Sequence, residues 1–279
     1  MKKIFQMIGL ISLTVFSFFM TEKTAMVVNN MDQIMIEIKE KKDEYKSSAT
    51  DAIIKNNTII PGINGREVNI NKSYKNMKSN GYFSEKLFIY DYTKPNISLS
   101  DNIDKYIIQG NPSKRMISLI FIVKALDNVN DILNIINNYG IKVTFLIDYN
   151  WFSNNNDIIQ EMVKSGHTIS PYLEDYNDSN FEWMDMILKK INKQSTVFCY
   201  SLDDNNSVID NCKLKGDYTI RPILISLKTP LVDIKSKINS GSLFLLNINS
   251  ELKKELSTII IYIKSKGYKL ANLEEHILE

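Results

Sequence analysis

The segment from Met116 to Tyr176 constrains the fold most, because apolar strand-like runs alternate there with amphipathic helices. The pattern predicts, in order, a strand at Met116–Val123, a helix at Val129–Tyr139, a strand at Val143–Asp148, a helix at Asp157–Ser165 and a strand that begins at Thr168. Gly140 and Gly166 follow the two helices, where a C-capping glycine is common. Strands that alternate with helices form a parallel sheet with right-handed crossovers, so the segment predicts an α/β fold.

The alternation continues toward Glu279. Further strands are predicted at Thr196–Tyr200, Tyr218–Ile220, Ile223–Ser226, Ser242–Leu246 and Tyr268–Ala271, and further helices at Phe181–Asn192, from Thr229 onward, and at Ser250–Lys266. With 279 residues and a hydrophobic share of 44%, the chain can bury one sizeable core and carry an extension. Lys+Arg 34 against Asp+Glu 32 gives 34 − 32 = +2, a net charge too small to favour nucleic acid as a partner.

Residues 1–25 have the layout of a secretion signal. Lys2 and Lys3 precede a mainly apolar run from Ile4 to Met20, and no cysteine follows the run, which argues against a lipoprotein. The run is borderline in length for a membrane-spanning helix, so a cleaved signal peptide and an uncleaved signal anchor both stay open. We therefore expect an extracytoplasmic protein that is secreted or held at the membrane by this N-terminal segment.

Residues 26–57 have the features of a linker. Met31, Ile34, Met35 and Ile38 fall on one stripe of a helix, and a run of mixed charges follows them. The pattern predicts a helical and charged linker between the membrane and the folded domain.

Residues 58–113 are predicted to form an extension packed on a main domain at 114–279. Its predicted elements are a hairpin-like turn region at Pro61-Gly62 and Asn64-Gly65, a short helix at Ser73–Lys78, a strand at Lys86–Tyr92 and a short helical or irregular piece at Ser98–Ile108. The extension has too few apolar residues to fold alone.

Four stretches of the main domain carry a family resemblance. Ile120-Phe121-Ile122-Val123-Lys124 stands where the polysaccharide deacetylase (NodB-homology) domain has T-F-D-D-G, and Gly166-His167-Thr168-Ile169-Ser170 stands where it has G-H-E-I-G. The stretches Ser240–Leu246 and Lys266–Leu273 are similar to the family's last strands. The chain thus resembles that family over Met116–Glu279. The resemblance implies a distorted (β/α) barrel whose site lies at the C-terminal ends of the strands.

The same alignment indicates that the family's catalytic and metal-binding residues are absent from this chain. The residues at the motif positions are Ile122 for the general base, Val123 for the acidic metal ligand, Tyr172 and Tyr176 for the two metal-binding histidines, Cys199 for the arginine and Asn247 for the late histidine. Aliphatic and neutral phenol side chains do not replace the carboxylates and imidazoles that hold such a metal. The resemblance therefore implies a catalytically silent relative with no catalytic residues, no metal and no cofactor. His167 is expected to be a packed, hydrogen-bonded structural histidine.

The resemblance also implies a groove at the strand ends, which can still bind a ligand without catalysis. Its candidate ligand-binding residues are Tyr172, Tyr176, Tyr200, Asn247 and Asp148, with Trp151 beside them. Aromatic faces suit sugar rings, and the Asn247 amide can hydrogen-bond hydroxyl groups. Two alternatives stay open: the tyrosines simply fill the space of the lost metal site, or the carboxylates Asp148, Asp175, Asp203 and Asp204 form a rebuilt site.

Cys199 and Cys212 are the only cysteines, and in an exported protein we expect them to form a disulfide. We expect a non-catalytic cell-envelope protein that binds a cell-wall glycan or an envelope protein. The two alternatives are an active carbohydrate N-deacetylase with an atypical site and a purely structural envelope or sporulation component.

Overall fold

The computed structural model describes residues 31–173, 176, 179–192 and 197–279, together with residues 11, 16 and 17. Contacts divide the chain into two units. The first joins the described residues up to Ala49 to Asn64–Thr93, and the second joins Thr50–Ile63 to Lys94–Glu279. Most of the predicted signal at 1–25 lies outside the described residues. None of the described helices combines the length and apolar character needed to span a bilayer.

The elements are numbered in chain order over the described residues. The strands are β1 (Ile53–Lys55), β2 (Thr58–Ile60), β3 (Gly65–Val68), β4 (Tyr90–Thr93), β5 (Tyr106–Ile107), β6 (Met116–Val123), β7 (Thr144–Ile147), β8 (Thr168–Pro171), β9 (Phe198–Tyr200), β10 (Tyr218–Ile220), β11 (Ile223–Leu224), β12 (Leu243–Asn247) and β13 (Lys269–Leu270). The helices are α1 (Gln33–Lys41), α2 (Ile70–Asn80), α3 (Asn130–Asn138), α4 (Tyr149–Asn154), α5 (Asn156–Lys164), α6 (Ser179–Asn192), α7 (Asn206–Leu214), α8 (Pro230–Lys237), α9 (Ser250–Ser265) and α10 (Leu273–Ile277).

The first unit contains α1, α2 and the antiparallel pair β3–β4. Its core is formed by Ile38, Val68, Met77 and Phe88. Because α1 buries Ile38 in this core, it belongs to a folded unit and not to the helical, charged linker predicted for residues 26–57. The helix itself is where the stripe predicts it.

The second unit contains two sheets. The smaller has the order β1-β2-β5-β10-β9, and the larger has the order β11-β12-β6-β7-β8 with β13 also paired to β6. All pairs in them are parallel except β1–β2. The backbone N–H of Phe198 donates to Ser170 Oγ at 3.0 Å and so joins β9 to β8 across the gap between the sheets.

Inward side chains of both sheets meet in one interior cluster. Its strand members are Ile59, Ile107, Ile120, Ile122, Leu146, Phe198, Ile220, Leu243 and Leu245. The amino end of this interior is closed by α10, which inserts Leu273 and Ile277 into the cluster. The Leu273 N–H donates to Thr144 Oγ1, at the first residue of β7, over 2.9 Å. The interior is therefore a packed core whose remaining mouth lies at the carboxyl ends of the strands.

The outward side chains of the larger sheet pack against helices. On β6, Leu119, Phe121 and Val123 belong to this outer layer, whereas Ile120 and Ile122 point inward. Residues of α3, α4, α5, α6, α8 and α9 complete the outer layer. The predicted α/β fold, a distorted (β/α) barrel, is confirmed.

The predicted boundaries inside the N-terminal half differ from the structure. Strands β2 and β5 belong to the smaller barrel sheet, so they are not part of an extension outside a domain that begins at residue 114. The predicted hairpin-like region does not pair with itself. Instead β2 pairs with β1 and β5, and β3 pairs with β4. Short strands of this kind have too little apolar periodicity to reveal their partners. Apart from β1, which directly precedes β2, those partners also lie far away along the chain.

Candidate functional site: the carboxyl-end mouth of the barrel

Residues that end the inner face of neighbouring parallel strands meet at the mouth. Asn247 is the last residue of β12 and pairs in register with Ile122 of β6. Ile122 pairs in turn with Leu146 of β7. Since successive inward side chains are two residues apart, Lys124 is the next inward position after Ile122. The mouth therefore has an aliphatic floor with polar groups above it.

Ile122 and Val123 occupy opposite faces of β6. Ile122 is 4% exposed and belongs to the interior cluster, while Val123 is fully buried in the outer helix layer. Neither side chain has an atom that can accept a proton or bind a cation. In this backbone, a carboxylate at position 123 would also enter the outer core and not the mouth.

Tyr172 and Tyr200 stack on each other. Their ring centroids are 5.2 Å apart, and the ring planes are 14° from parallel. The Lys124 ammonium nitrogen lies 5.6 Å from the Tyr172 centroid, within the range of a cation–π interaction. Both tyrosines are half-buried, and the faces they share are closed to a sugar ring. Lys124 is the mouth residue that the motif alignment did not single out. The two-residue spacing from Ile122 is the signal that could have revealed it.

Tyr176 is in the core and does not line the groove as predicted. It is 2% exposed, and its ring packs edge-to-face on Phe181 with centroids 5.1 Å apart. Its hydroxyl donates to Pro171 O at 3.3 Å and accepts the Tyr200 N–H at 3.1 Å. Burial raises the pKa of the Tyr176 phenol above its usual range, so the group stays neutral at physiological pH.

The structure joins Cys199 and Cys212 in a disulfide. Both residues are fully buried and share a cluster with Tyr176, Phe181 and Val208. The bond ties α7 to β9, one residue before Tyr200. A cysteine held in this bond has no thiol to act as a nucleophile.

Asp148 and Trp151 have structural roles. One Asp148 carboxylate oxygen caps α4 by accepting the backbone N–H groups of Asn150 at 2.9 Å and Trp151 at 3.3 Å. Trp151 is 3% exposed, so its indole does not line the groove. Its ring N–H donates to Asp127 O at 2.9 Å. Asn247 is half-buried at the mouth, as its place in the sequence predicts.

The remaining acidic candidates do not converge on one point. The Asp204 carboxylate forms an ion pair with Arg221, whose guanidinium carbon lies 3.9 Å from the Tyr106 ring centroid. The Asp203 backbone carbonyl accepts the Ser201 hydroxyl at 2.7 Å. Asp175 lies outside the described residues.

Both histidines are buried away from the mouth. His167 Nδ1 accepts the Val143 N–H at 3.3 Å, and its Nε2 lies 3.0 Å from Asn137 Oδ1. The prediction of a packed, hydrogen-bonded structural histidine is confirmed. Burial and then Lys142 lower the pKa of His167 to about 4, so the ring is neutral at physiological pH.

These donors do not fit the family's metal. Over the described residues, no group of three or more His, Cys, Asp or Glu side chains could hold an ion. A borderline cation needs carboxylate, imidazole or thiolate donors that converge on one point. The motif positions instead hold two aliphatic side chains, a phenol stacked on Tyr200, a buried phenol, a disulfide sulfur and the Asn247 amide.

Comparison with known proteins identifies the scaffold. Residues 109–205 match the family model for polysaccharide deacetylase. The Bacillus subtilis (strain 168) protein YlxY, described as uncharacterized, is 28% identical over 280 residues, which cover 92% of this chain and 87% of YlxY.

Two further proteins share the fold. Wild-type BA3943 of Bacillus anthracis, described as a CE4 family pseudoenzyme, has a TM-score of 0.63 at 21% identity, with coverage of 88% of this chain and 95% of that one. A BA3943 mutant described as having restored enzymatic activity has a TM-score of 0.64 at 22% identity, with coverage of 88% and 98%. The Bc1960 peptidoglycan N-acetylglucosamine deacetylase has a TM-score of 0.51 at 16% identity, with coverage of 62% and 92%.

At these identities the solved structures show a shared fold, and the family model adds the motif-bearing segment. Residues 109–205 are therefore similar to the polysaccharide deacetylase domain, and the chain shares the fold of the CE4-type structures.

Proposed function

We propose that this protein is a catalytically silent, deacetylase-like protein of the cell envelope that binds glycan at the mouth of its barrel. The observation that carries the proposal is the replacement of every motif group by a side chain that cannot perform its role. Those side chains are Ile122, Val123, Tyr172, Tyr176, Cys199 and Asn247.

Deacetylation of an amide needs a base to activate water and an electrophile to polarise the carbonyl. Ile122 is an apolar side chain at the position of the base. Tyr176 is neutral, and its hydroxyl is already held by two backbone groups. Since His167 and His276 are both buried, neither imidazole can take over proton transfer at the mouth.

Glycan is the ligand class supported by the relatives and by the mouth. One fold relative is described as a peptidoglycan N-acetylglucosamine deacetylase. In this chain, the Asn247 amide and the Lys124 ammonium offer hydrogen-bonding groups above an aliphatic floor, beside the aromatic Tyr172–Tyr200 pair. Such a mixture suits the hydroxyl and acetamido groups of an N-acetylated sugar together with its apolar ring face. We place the protein outside the cytoplasm, because the export-like N-terminal sequence and a buried disulfide both fit that location.

A protein partner at the same end of the barrel is the second candidate. Leu126 is 98% exposed in the loop after β6, and Leu227 is 55% exposed in the loop after β11. Both loops follow the carboxyl ends of parallel strands and so lie at the mouth. Two exposed leucines at the same end of the barrel offer apolar surface to a partner.

The test has two measurements on the purified protein. First, zinc, cobalt and nickel content and acetate release from N-acetylated chitooligosaccharides are measured, and we expect no stoichiometric metal and no acetate. Second, the protein is sedimented with insoluble peptidoglycan and with chitin. We expect it to co-sediment, and we expect Lys124→Ala/Asn247→Ala to reduce binding while the surface variant Lys254→Ala does not.

Each alternative predicts a different result. Stoichiometric metal with acetate release would establish an active deacetylase and contradict the proposal. Absence of sedimentation with either polymer would contradict glycan binding and favour the protein-partner or structural candidates. In that case, capture of envelope proteins is compared between the original chain and Leu126→Ser. A captured protein that is lost in the variant would favour the protein-partner candidate over the purely structural one.

A further inference from the structure

We infer that Trp183, on the outer rim of the mouth, forms a second sugar subsite that supports a glycan chain beyond the barrel opening. The inference rests on the proposed function, because it names a place where the same glycan would continue. The motif alignment does not involve this residue.

Trp183 is an exposed indole held in a fixed position. It is 40% exposed, although it lies in α6, whose other face is buried in the outer layer. Its ring makes edge-to-face contacts with Tyr149 at 5.6 Å and with Phe152 at 5.7 Å between centroids. Phe152 is 3% exposed and anchors this arrangement in the core. A side chain already restrained in this way loses little conformational entropy when a ligand stacks on it.

The position of Trp183 follows from the chain path around the mouth. Tyr149 is the first residue of α4 and directly follows the capping residue Asp148 at the carboxyl end of β7. A ring that contacts Tyr149 is therefore on the same rim as the strand ends that carry Lys124 and Tyr172. A glycan that leaves the mouth on the β7 side would meet this indole next.

The size of the patch favours a sugar over a protein. An indole that is 40% exposed offers roughly 60 to 100 Å², given that aromatic side chains present about 150 to 250 Å² in total. Met186 lies three residues further along α6, is 48% exposed and adds to the apolar surface beside Trp183. Together they fall well below the roughly 800 Å² per partner of a stable protein interface. One pyranose face matches an indole face in size and in its apolar C–H surface.

The chain provides its own spectroscopic probe, because its two tryptophans have opposite exposure. Chitotetraose is titrated into the purified protein while tryptophan emission is recorded. In Trp151→Phe, where Trp183 is the only indole, we expect a saturable shift of emission to shorter wavelength. In Trp183→Phe, where only the buried Trp151 remains, we expect no shift.

Affinity measured by calorimetry gives the second readout. We expect Trp183→Ala to weaken chitotetraose binding about tenfold, the loss of roughly one stacking contact. Trp183→Tyr should recover part of that loss. Ile261→Ala, which truncates a 54% exposed side chain on α9, should bind like the original chain. Circular dichroism and thermal unfolding check that each variant is folded.

The outcomes separate this inference from the proposed function. If chitotetraose binds but Trp183 emission does not change and Trp183→Ala keeps full affinity, the subsite is wrong and mouth binding stands. If the unsubstituted protein binds neither chitotetraose nor the insoluble polymers, both proposals are wrong.

Discussion

The rings of Tyr172 and Tyr200 lie face to face across the boundary between the two barrel sheets, with centroids 5.2 Å apart. Tyr172 directly follows β8 of the larger sheet, and Tyr200 ends β9 of the smaller one. The two strands share no ladder of backbone hydrogen bonds in the described part of the chain. The stack therefore fastens the sheets together at the mouth, where the family resemblance places metal-site chemistry. These rings are structural as well as candidate ligand contacts.

The first prediction concerns this pair. Tyr172→Leu, Tyr200→Leu and the double variant form a cycle, and urea unfolding should give a coupling free energy of about 1 kcal/mol. The reason is that stacked aromatic rings stabilise each other beyond the area they bury. A control cycle of Tyr172→Leu with Tyr268→Leu, whose ring instead contacts Arg115, should show no coupling. Equal coupling free energies in the two cycles would contradict a stabilising stack.

Asp148 allows a cap to be distinguished from a ligand contact. Asp148→Ala should lower the free energy of unfolding by about 1 kcal/mol, because two N–H groups at the start of α4 lose their acceptor. Asp148→Asn retains a capping oxygen and should stay close to the original stability. Neither variant should change co-sedimentation with peptidoglycan. If Asp148→Asn keeps stability but abolishes sedimentation, the carboxylate contacts the glycan after all.

The two histidines predict acid sensitivity. Burial, with a smaller effect of a nearby lysine in each case, lowers the pKa of His167 to about 4 and the pKa of His276 to about 3, both below the unfolded value of 6.5. Each neutral ring therefore contributes stability that is fully present above pH 6.5 and is lost as the pH falls from 6.5 toward 4. In that window the unfolded chain binds up to two more protons, so these rings lower stability by up to about 2.7 kcal/mol per pH unit.

Urea unfolding at several pH values between 7.5 and 4.5 measures this dependence. His167→Gln removes one of the two titrating rings and should roughly halve the histidine contribution to the slope. The slope of the variant is compared with that of the original chain, so the carboxylates common to both cancel. Identical slopes would mean that His167 is not held neutral in the fold.

The disulfide predicts a stability difference on reduction. Cys199 and Cys212 are 13 residues apart, and closing a loop of that length contributes about 3 kcal/mol by the chain-entropy relation. Cys199→Ala/Cys212→Ala and the chemically reduced original chain should both unfold at lower urea concentration. Two free thiols in natively purified protein, or no change on reduction, would contradict the pairing. Because β9 carries Tyr200 next to Cys199, reduction should also weaken the coupling between Tyr172 and Tyr200.

Part of this structure can be read directly from local patterns. The strand Met116–Val123 occurs as predicted. Eight successive residues without a charge or a turn signal form either a strand buried on both faces or part of a buried helix. The alternation with helices along the chain favours the strand. Helix α9 begins at Ser250 as predicted and ends within one residue of the predicted end. Helix α7 was not predicted, because the Asp203–Asn206 stretch is highly polar and resembles a loop. The buried side of this helix becomes evident only from its contacts with β9 and β10.

The sequence by itself determined the α/β alternation, the loss of the family's carboxylates and imidazoles, and the structural role of His167, since each depends on residue type and local spacing. Only the tertiary structure decided that Val123 turns away from the mouth, that Tyr172 stacks on Tyr200 while Tyr176 is buried, that Asp148 caps a helix and that Trp183 stands exposed on the rim. These outcomes depend on which strands become neighbours and which side chains meet across them. Contacts between residues far apart in the chain are set by packing of the whole domain, which no local pattern encodes.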